Sequence, residues 1–132
     1  MIDRLINQSA AGTLVQAASF YARRQHVIAD NIVNVSTPGY RQKDLDESSF
    51  RSELQRRLDN ADRSGAADLS GVAASTPSTT APGGVMFHDG NNRSIEQLMG
   101  DQAKNALRHN LSVELLRKNF AGFHQALRER VA

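Results

Sequence analysis

The stretch SIEQLMGDQAKNALRHNLSVELLRKNFAGFHQALRERV, residues 94–131, decides the fold. It contains no proline, and Ile95, Met99, Ala106, Val113, Leu116, Phe120, Phe123 and Leu127 hold a seven-residue rhythm along it. That rhythm gathers these side chains on one face of a helix suited to pack against a second long helix. Gln102 and His109 interrupt the seam, while Leu98, Ala103, Leu107, Leu111 and Leu115 form a second row expected to widen the buried stripe. Ser94 followed three residues on by Gln97 is a capping-box start. Such a helix spans roughly 55 Å at about 1.5 Å per residue, more than a compact domain of this size covers.

The matching helix lies at the other end of the chain. From about Asp3 to Val35 there is no proline and one glycine, Gly12. Leu14, Ala17, Ala18, Tyr21, Ile28, Ile32 and Val35 fall mostly three or four apart, with a break at Arg24 and Gln25. Ile2, Leu5 and Ile6 form a separate small cluster, joined to the helix by a weak connection from Ser9 to Thr13. The fold expected is mainly α: long N- and C-terminal helices pairing as a coiled-coil-like hairpin. The pairing seam is Leu14, Tyr21, Ile28 and Ile32 on one helix. On the other it is Met99, Ala106, Val113, Leu116, Phe120, Phe123 and Leu127.

Between them lies an irregular, partly flexible middle. Of the 22 residues from Ser64 to Val85, 18 are Gly, Ala, Ser, Thr or Pro. Such a segment taken alone buries too little apolar area to offset its ordering entropy, and so reads as a linker. A short amphipathic helix is expected through Phe50, Leu54 and Leu58, a short strand at Val85–Phe87 and a turn at Asp89–Asn92. The division expected is 1–40 for the first helix and its turn, 41–93 for the middle with its linker at 64–85, and 94–132 for the last helix. The two helices form one domain.

The totals narrow the function classes. With 132 residues, 39% hydrophobic, 5% aromatic and no Trp, the chain has little material for a large independent core. Part of each helical stripe is therefore expected to be covered by other subunits. The 16 basic and 14 acidic residues leave a net charge of only +2 without a basic block, which excludes a nucleic-acid arm. There is no cysteine, so disulfides, thiol nucleophiles and Cys-based metal sites are excluded. No apolar run is long enough to insert in a membrane, and no cleavable secretory signal is expected at the N-terminus.

The most specific local string is Ala29-Asp30-Asn31-Ile32-Val33-Asn34-Val35-Ser36-Thr37-Pro38-Gly39-Tyr40. Pro38 holds its φ near −65° and pushes Thr37 out of the helical region, so the helix must stop before it. Pro38-Gly39 supplies the middle of a type II turn, because glycine tolerates positive φ. The amides of Asn31 and Asn34 are placed to bond carbonyls the ending helix leaves unpaired, or equivalent groups of another chain. Tyr40 would anchor the exit.

This string closely resembles the N-terminal signature of the flagellar rod, hook and hook-associated axial proteins. Asn31, Ile32, Asn34, Thr37, Pro38, Gly39 and Tyr40 match it, whereas Asp30 stands for the usual asparagine and Val33 for a small alanine. The short gap between helices and the strings Asn92–Met99, Gln102–Arg108, Leu115–Phe120 and Ala126-Leu127 resemble the FlgB-type rod proteins, which often carry tyrosine at the place of His109. The resemblance covers about 17–43 and 91–127. It implies a structural subunit of the proximal rod of the flagellar basal body, whose helices assemble to transmit torque and wall the export channel. Its implied partners are other rod subunits, membrane-ring and export-gate components, in homo- and hetero-oligomers. The implied location is the periplasmic rod, reached through the flagellar type III exporter without a cleaved signal. The alternatives are a flagellar export adaptor, another helical interaction module, or another short proximal-rod protein.

No catalytic constellation competes with this reading. His26, His88, His109 and His124 lack metal-ligand spacing, and Asp44, Asp46 and Glu47 lack the glycine and terminal glutamate of a calcium loop. Neither a phosphate-binding loop nor a nucleophile elbow is present. The expectation is a protein that is not an enzyme, with no cofactor, no metal and no small-molecule substrate.

Overall fold

The computed structural model describes residues 2–65, 67–80 and 93–131, with side chains described over 10–65, 67–79 and 95–131. Two long helices dominate: α1, Ile2–Val33, and α4, Arg93–Val131. Between them come β1 (Lys43–Leu45), α2 (Glu47–Ser64), α3 (Val72–Ser75) and β2 (Ser78–Thr80). The mainly α, hairpin-like architecture is the one the sequence predicts. Helix α1 runs without interruption through Ser9–Thr13, where a weak connection was expected. The side chains of Ile2, Leu5, Ile6 and Ser94, the strand at 85–87 and the turn at 89–92 lie outside the described residues.

The helix expected around Phe50 and Leu58 is longer than its apolar spacing suggested, because both ends are capped. Asp46 holds the N-terminus: one carboxylate oxygen accepts from the amides of Ser48 (3.0 Å) and Ser49 (3.1 Å). At the other end Gly65 sits at φ 75°, where its amide donates to the Ala61 carbonyl at 2.7 Å. Between the caps Glu53 pairs with Arg56 and Arg57, and Phe50, Leu54 and Leu58 turn toward the core.

The hydrogen bonds from Ser48 and Ser49 hold the Asp46 carboxyl down at about 2, from an ordinary value of 3.8. A depressed carboxyl stabilises the fold above its unfolded pKa and loses that contribution as pH falls through the folded one. Acidification from pH 4 to pH 2 is therefore expected to loosen the first turn of α2. The Ser48 and Ser49 amide resonances should titrate near pH 2, and Asp46→Asn should abolish that titration.

Part of the Gly/Ala/Ser/Thr/Pro-rich segment contributes to the core. Leu69, Val72 and Ala73 are buried and join Phe20, Leu45, Phe50 and Leu54 in one hydrophobic cluster. Compositional reasoning missed this because the few apolar residues there are placed by non-local partners. Arg23 of α1 donates to the carbonyls of Ala73 (3.0 Å), Ala74 (3.1 Å) and Thr76 (2.7 Å). Gln16 accepts from the Ala73 amide at 3.0 Å. Close approach is also built in: a Cβ at Gly12 would stand 3.2 Å from Leu69 Cδ1. Beyond α3, β2 pairs antiparallel with β1 in the register Lys43↔Thr80, Asp44↔Thr79, Leu45↔Ser78.

The core thus lies between α1 and the middle segment. Phe20, fully buried, stacks on Phe50 with ring centroids 4.3 Å apart and meets Tyr21 edge-on at 5.3 Å. No residue of α4 belongs to this cluster. Among the described elements α4 packs along α1 and reaches α2 through the ion pair of Arg108 with Glu47.

Candidate assembly surface

Two features carry the resemblance, the turn after α1 and the long face of α4. In the turn, Asn31 is almost fully buried. Its Nδ2 donates to the Lys43 carbonyl at 2.6 Å, and its Oδ1 accepts from the Lys43 amide (2.9 Å) and the Tyr40 hydroxyl (3.2 Å). One side chain thereby pairs with both backbone groups of Lys43, as a neighbouring strand would, and starts β1. Asn34 Nδ2 donates to the Asp30 carbonyl at 2.9 Å, the helix-end bond that its position suggests. The Tyr40 amide closes the Thr37–Tyr40 turn on the Thr37 carbonyl at 3.2 Å, with Gly39 at φ 76° as Pro-Gly requires.

The buried and exposed halves of the signature separate cleanly. Asn31 points inward and Tyr40 is half-buried, while Thr37, Pro38 and Gly39 form an exposed tip. Val33 is 80% exposed, so the larger side chain at this position meets no tight helix contact within the chain. Replacing Asn31 with leucine should cost about 2–3 kcal/mol, since it removes the three hydrogen bonds of a buried side chain. Tyr40→Phe, which removes one bond to a partner that keeps others, should cost about 1 kcal/mol. Urea unfolding of the two variants measures both.

An ion-pair network ties this region to both long helices. Arg24 binds Asp44 through Nε (2.8 Å) and Nη2 (2.7 Å), and its Nη1 reaches Glu47 at 3.3 Å. The hydrogen bond to Asp44 holds the Arg24 guanidinium above its ordinary pKa. Glu47 also accepts from Arg108 of α4 at 2.8 Å. The break in apolar spacing at Arg24 and Gln25 is thus where polar ties form.

On α4 Leu98, Gln102, Asn105, His109, Ser112, Leu116, Asn119 and Phe123, all buried or half-buried, fall alternately four and three apart. This is a heptad seam, but a rotated one. Gln102, His109, Leu116 and Phe123 belong to the row the sequence suggested, and their companions are Leu98, Asn105, Ser112 and Asn119. The expected companions sit on the flank: Ala106 and Val113 are half-buried, Phe120 is 50% exposed, and Met99 and Leu127 are exposed. Leu107, Leu111 and Leu115 widen no buried stripe; they are 70%, 57% and 44% exposed. On α1, Ile28 is buried and Leu14, Tyr21 and Ile32 are half-buried.

Sequence reasoning missed the polar members because apolar spacing alone was counted. Asn105 is buried and donates through Nδ2 to the Tyr21 carbonyl (2.8 Å) and Gln25 Oε1 (2.7 Å). Ser112 is buried and returns its hydroxyl to the Arg108 carbonyl at 2.9 Å. Asn105 Oδ1 and Asn119 Oδ1 are buried without a hydrogen-bond partner. Residues 124–131 of α4 are exposed throughout.

Among the described residues no three of His, Cys, Asp and Glu stand together as a metal site, and no helix is long and apolar enough to cross a membrane. The cleft lined by Ser48, Ser49, Ser52, Arg56 and Thr76 lies beside the start of α2, whose amides Asp46 already occupies.

Comparison with known proteins agrees with the geometry. Residues 12–41, most of α1 together with its signature turn, match the family model described as flagella basal body rod protein. The flagellar basal body rod protein FlgB of Salmonella typhimurium is 27% identical over 143 residues, covering 96% of this chain and 97% of that protein. FlgB of Aeromonas hydrophila is 27% identical over 134 residues, covering 90% and 92%. FlgB of Escherichia coli K12 is 35% identical over 80 residues, covering 61% of this chain and 51% of that protein. The chain is a homologue, at modest identity, of the FlgB flagellar basal body rod proteins.

Proposed function

We propose that this chain is a structural subunit of the proximal rod of the bacterial flagellar basal body. In this reading its terminal helices assemble with other rod subunits, line the export channel and transmit torque, next to membrane-ring and export-gate components. The observation that carries it is the outer surface of α4, where Leu107, Leu111 and Leu115 stand exposed four residues apart on a helix that packs along α1. Single exposed apolar residues are ordinary, but a row of leucines along a charged helix marks a contact surface. The FlgB homology gives that surface its setting.

The test is where the protein resides. Basal bodies purified after detergent and alkaline extraction should retain it in fixed ratio to the other rod proteins. Recovery only as a soluble complex with one client would instead identify an export adaptor and overturn the reading.

A further inference from the structure

We infer that α4 is a two-position helix: it rests on α1 with a polar seam inward and can turn about its axis to bring an apolar seam inward instead. The inference concerns how α4 sits on its own chain and does not depend on what the assembled protein does. Its basis is that α4 carries two heptad seams sharing one row. The shared row is Gln102, His109, Leu116 and Phe123. In the present position it is completed by Leu98, Asn105, Ser112 and Asn119. One residue further round stands Met99, Ala106, Val113, Phe120 and Leu127, an unbroken apolar row that is half-buried or exposed.

At about 3.5 residues per turn, exchanging one companion row for the other needs a rotation of only about 50°. The present seam has a specific defect, since Asn105 Oδ1 and Asn119 Oδ1 are buried without partners. Rotation would return both to water while the apolar row moved against α1. It would also turn Leu111 and Leu115, now 57% and 44% exposed, further away from α1, with Leu107 still on the outer side.

What holds the polar position is equally identifiable. Asn105 Nδ2 binds the Tyr21 carbonyl and Gln25, and Arg108 binds Glu47 at the start of α2. These contacts act as a latch, and no member of the main hydrophobic cluster lies on α4 to oppose a turn. Side-chain interfaces with two discrete packings behave as bistable elements rather than continuously deformable ones.

The absence of cysteine makes the test direct. Single thiols are introduced by Ser112→Cys, inside the polar seam, and by Met99→Cys, on the apolar row, and their rates of reaction with a maleimide are measured. In the otherwise unchanged protein the first should be slow and the second fast. Asn105→Asp with Arg108→Ala opens the latch: the carboxylate cannot donate to the Tyr21 carbonyl, and Glu47 loses its α4 partner. With the latch open the two rates should move in opposite directions, each by about tenfold as the minor position becomes the major one. If both thiols speed up, α4 has come off α1; if neither changes, there is one position only. Either result overturns the inference, and circular dichroism on the same samples separates undocking from loss of the helix.

Discussion

Replacing Phe20 with alanine lowers the free energy of unfolding by about 3–5 kcal/mol, the largest loss expected from any single truncation in the chain. Phe20 has no exposed surface, stacks on Phe50 and meets Tyr21 edge-on. Its ring joins α1 to β1, α2 and the 69–73 segment in one cluster. A small domain has only about 5–15 kcal/mol in total, so this variant should lie close to its unfolding midpoint in water. Because α4 contributes nothing to the cluster, amide exchange should rise most at 43–45 and 69–76. A loss under about 1 kcal/mol in urea titration would mean that the middle segment is not docked as described.

The second large effect concerns assembly and leaves the isolated chain almost untouched. Leu107→Gln, Leu111→Gln and Leu115→Gln together should change monomer stability by no more than about 1 kcal/mol, since glutamine is a good helix former and the sites are exposed. Incorporation into basal bodies should nevertheless be lost, because truncating apolar anchors at the centre of an interface typically costs about 2 kcal/mol or more each. Stability and assembly thus separate on different faces of the molecule. A triple variant that incorporates normally would place the subunit contacts elsewhere.

That separation also shows what could be read from the sequence. The two long helices were legible because seven-residue and three-to-four-residue spacing survive over many turns. The end of α1 and the positive φ of Gly39 were legible because proline and glycine restrict or free the backbone locally. The docking of 67–79 was not, since its placement depends on Arg23 and Gln16, about fifty residues upstream. Nor was the rotation of α4. Counting apolar residues favours Met99, Ala106, Val113, Phe120 and Leu127, whereas Asn105 and Arg108 find partners only when those residues are turned aside. A polar residue inside a heptad seam reads as an interruption until its partner is known. The buried role of Asn31 was likewise half visible: its amide chemistry pointed to a carbonyl, but only the folded chain supplies Lys43.

The central claim is that this chain builds the proximal rod, and deletion of its gene tests that most directly. Electron microscopy of basal bodies from the deletion strain should show membrane rings without rod or hook, with assembly restored by the intact chain. Complete hook–basal bodies in the deletion strain would contradict the account.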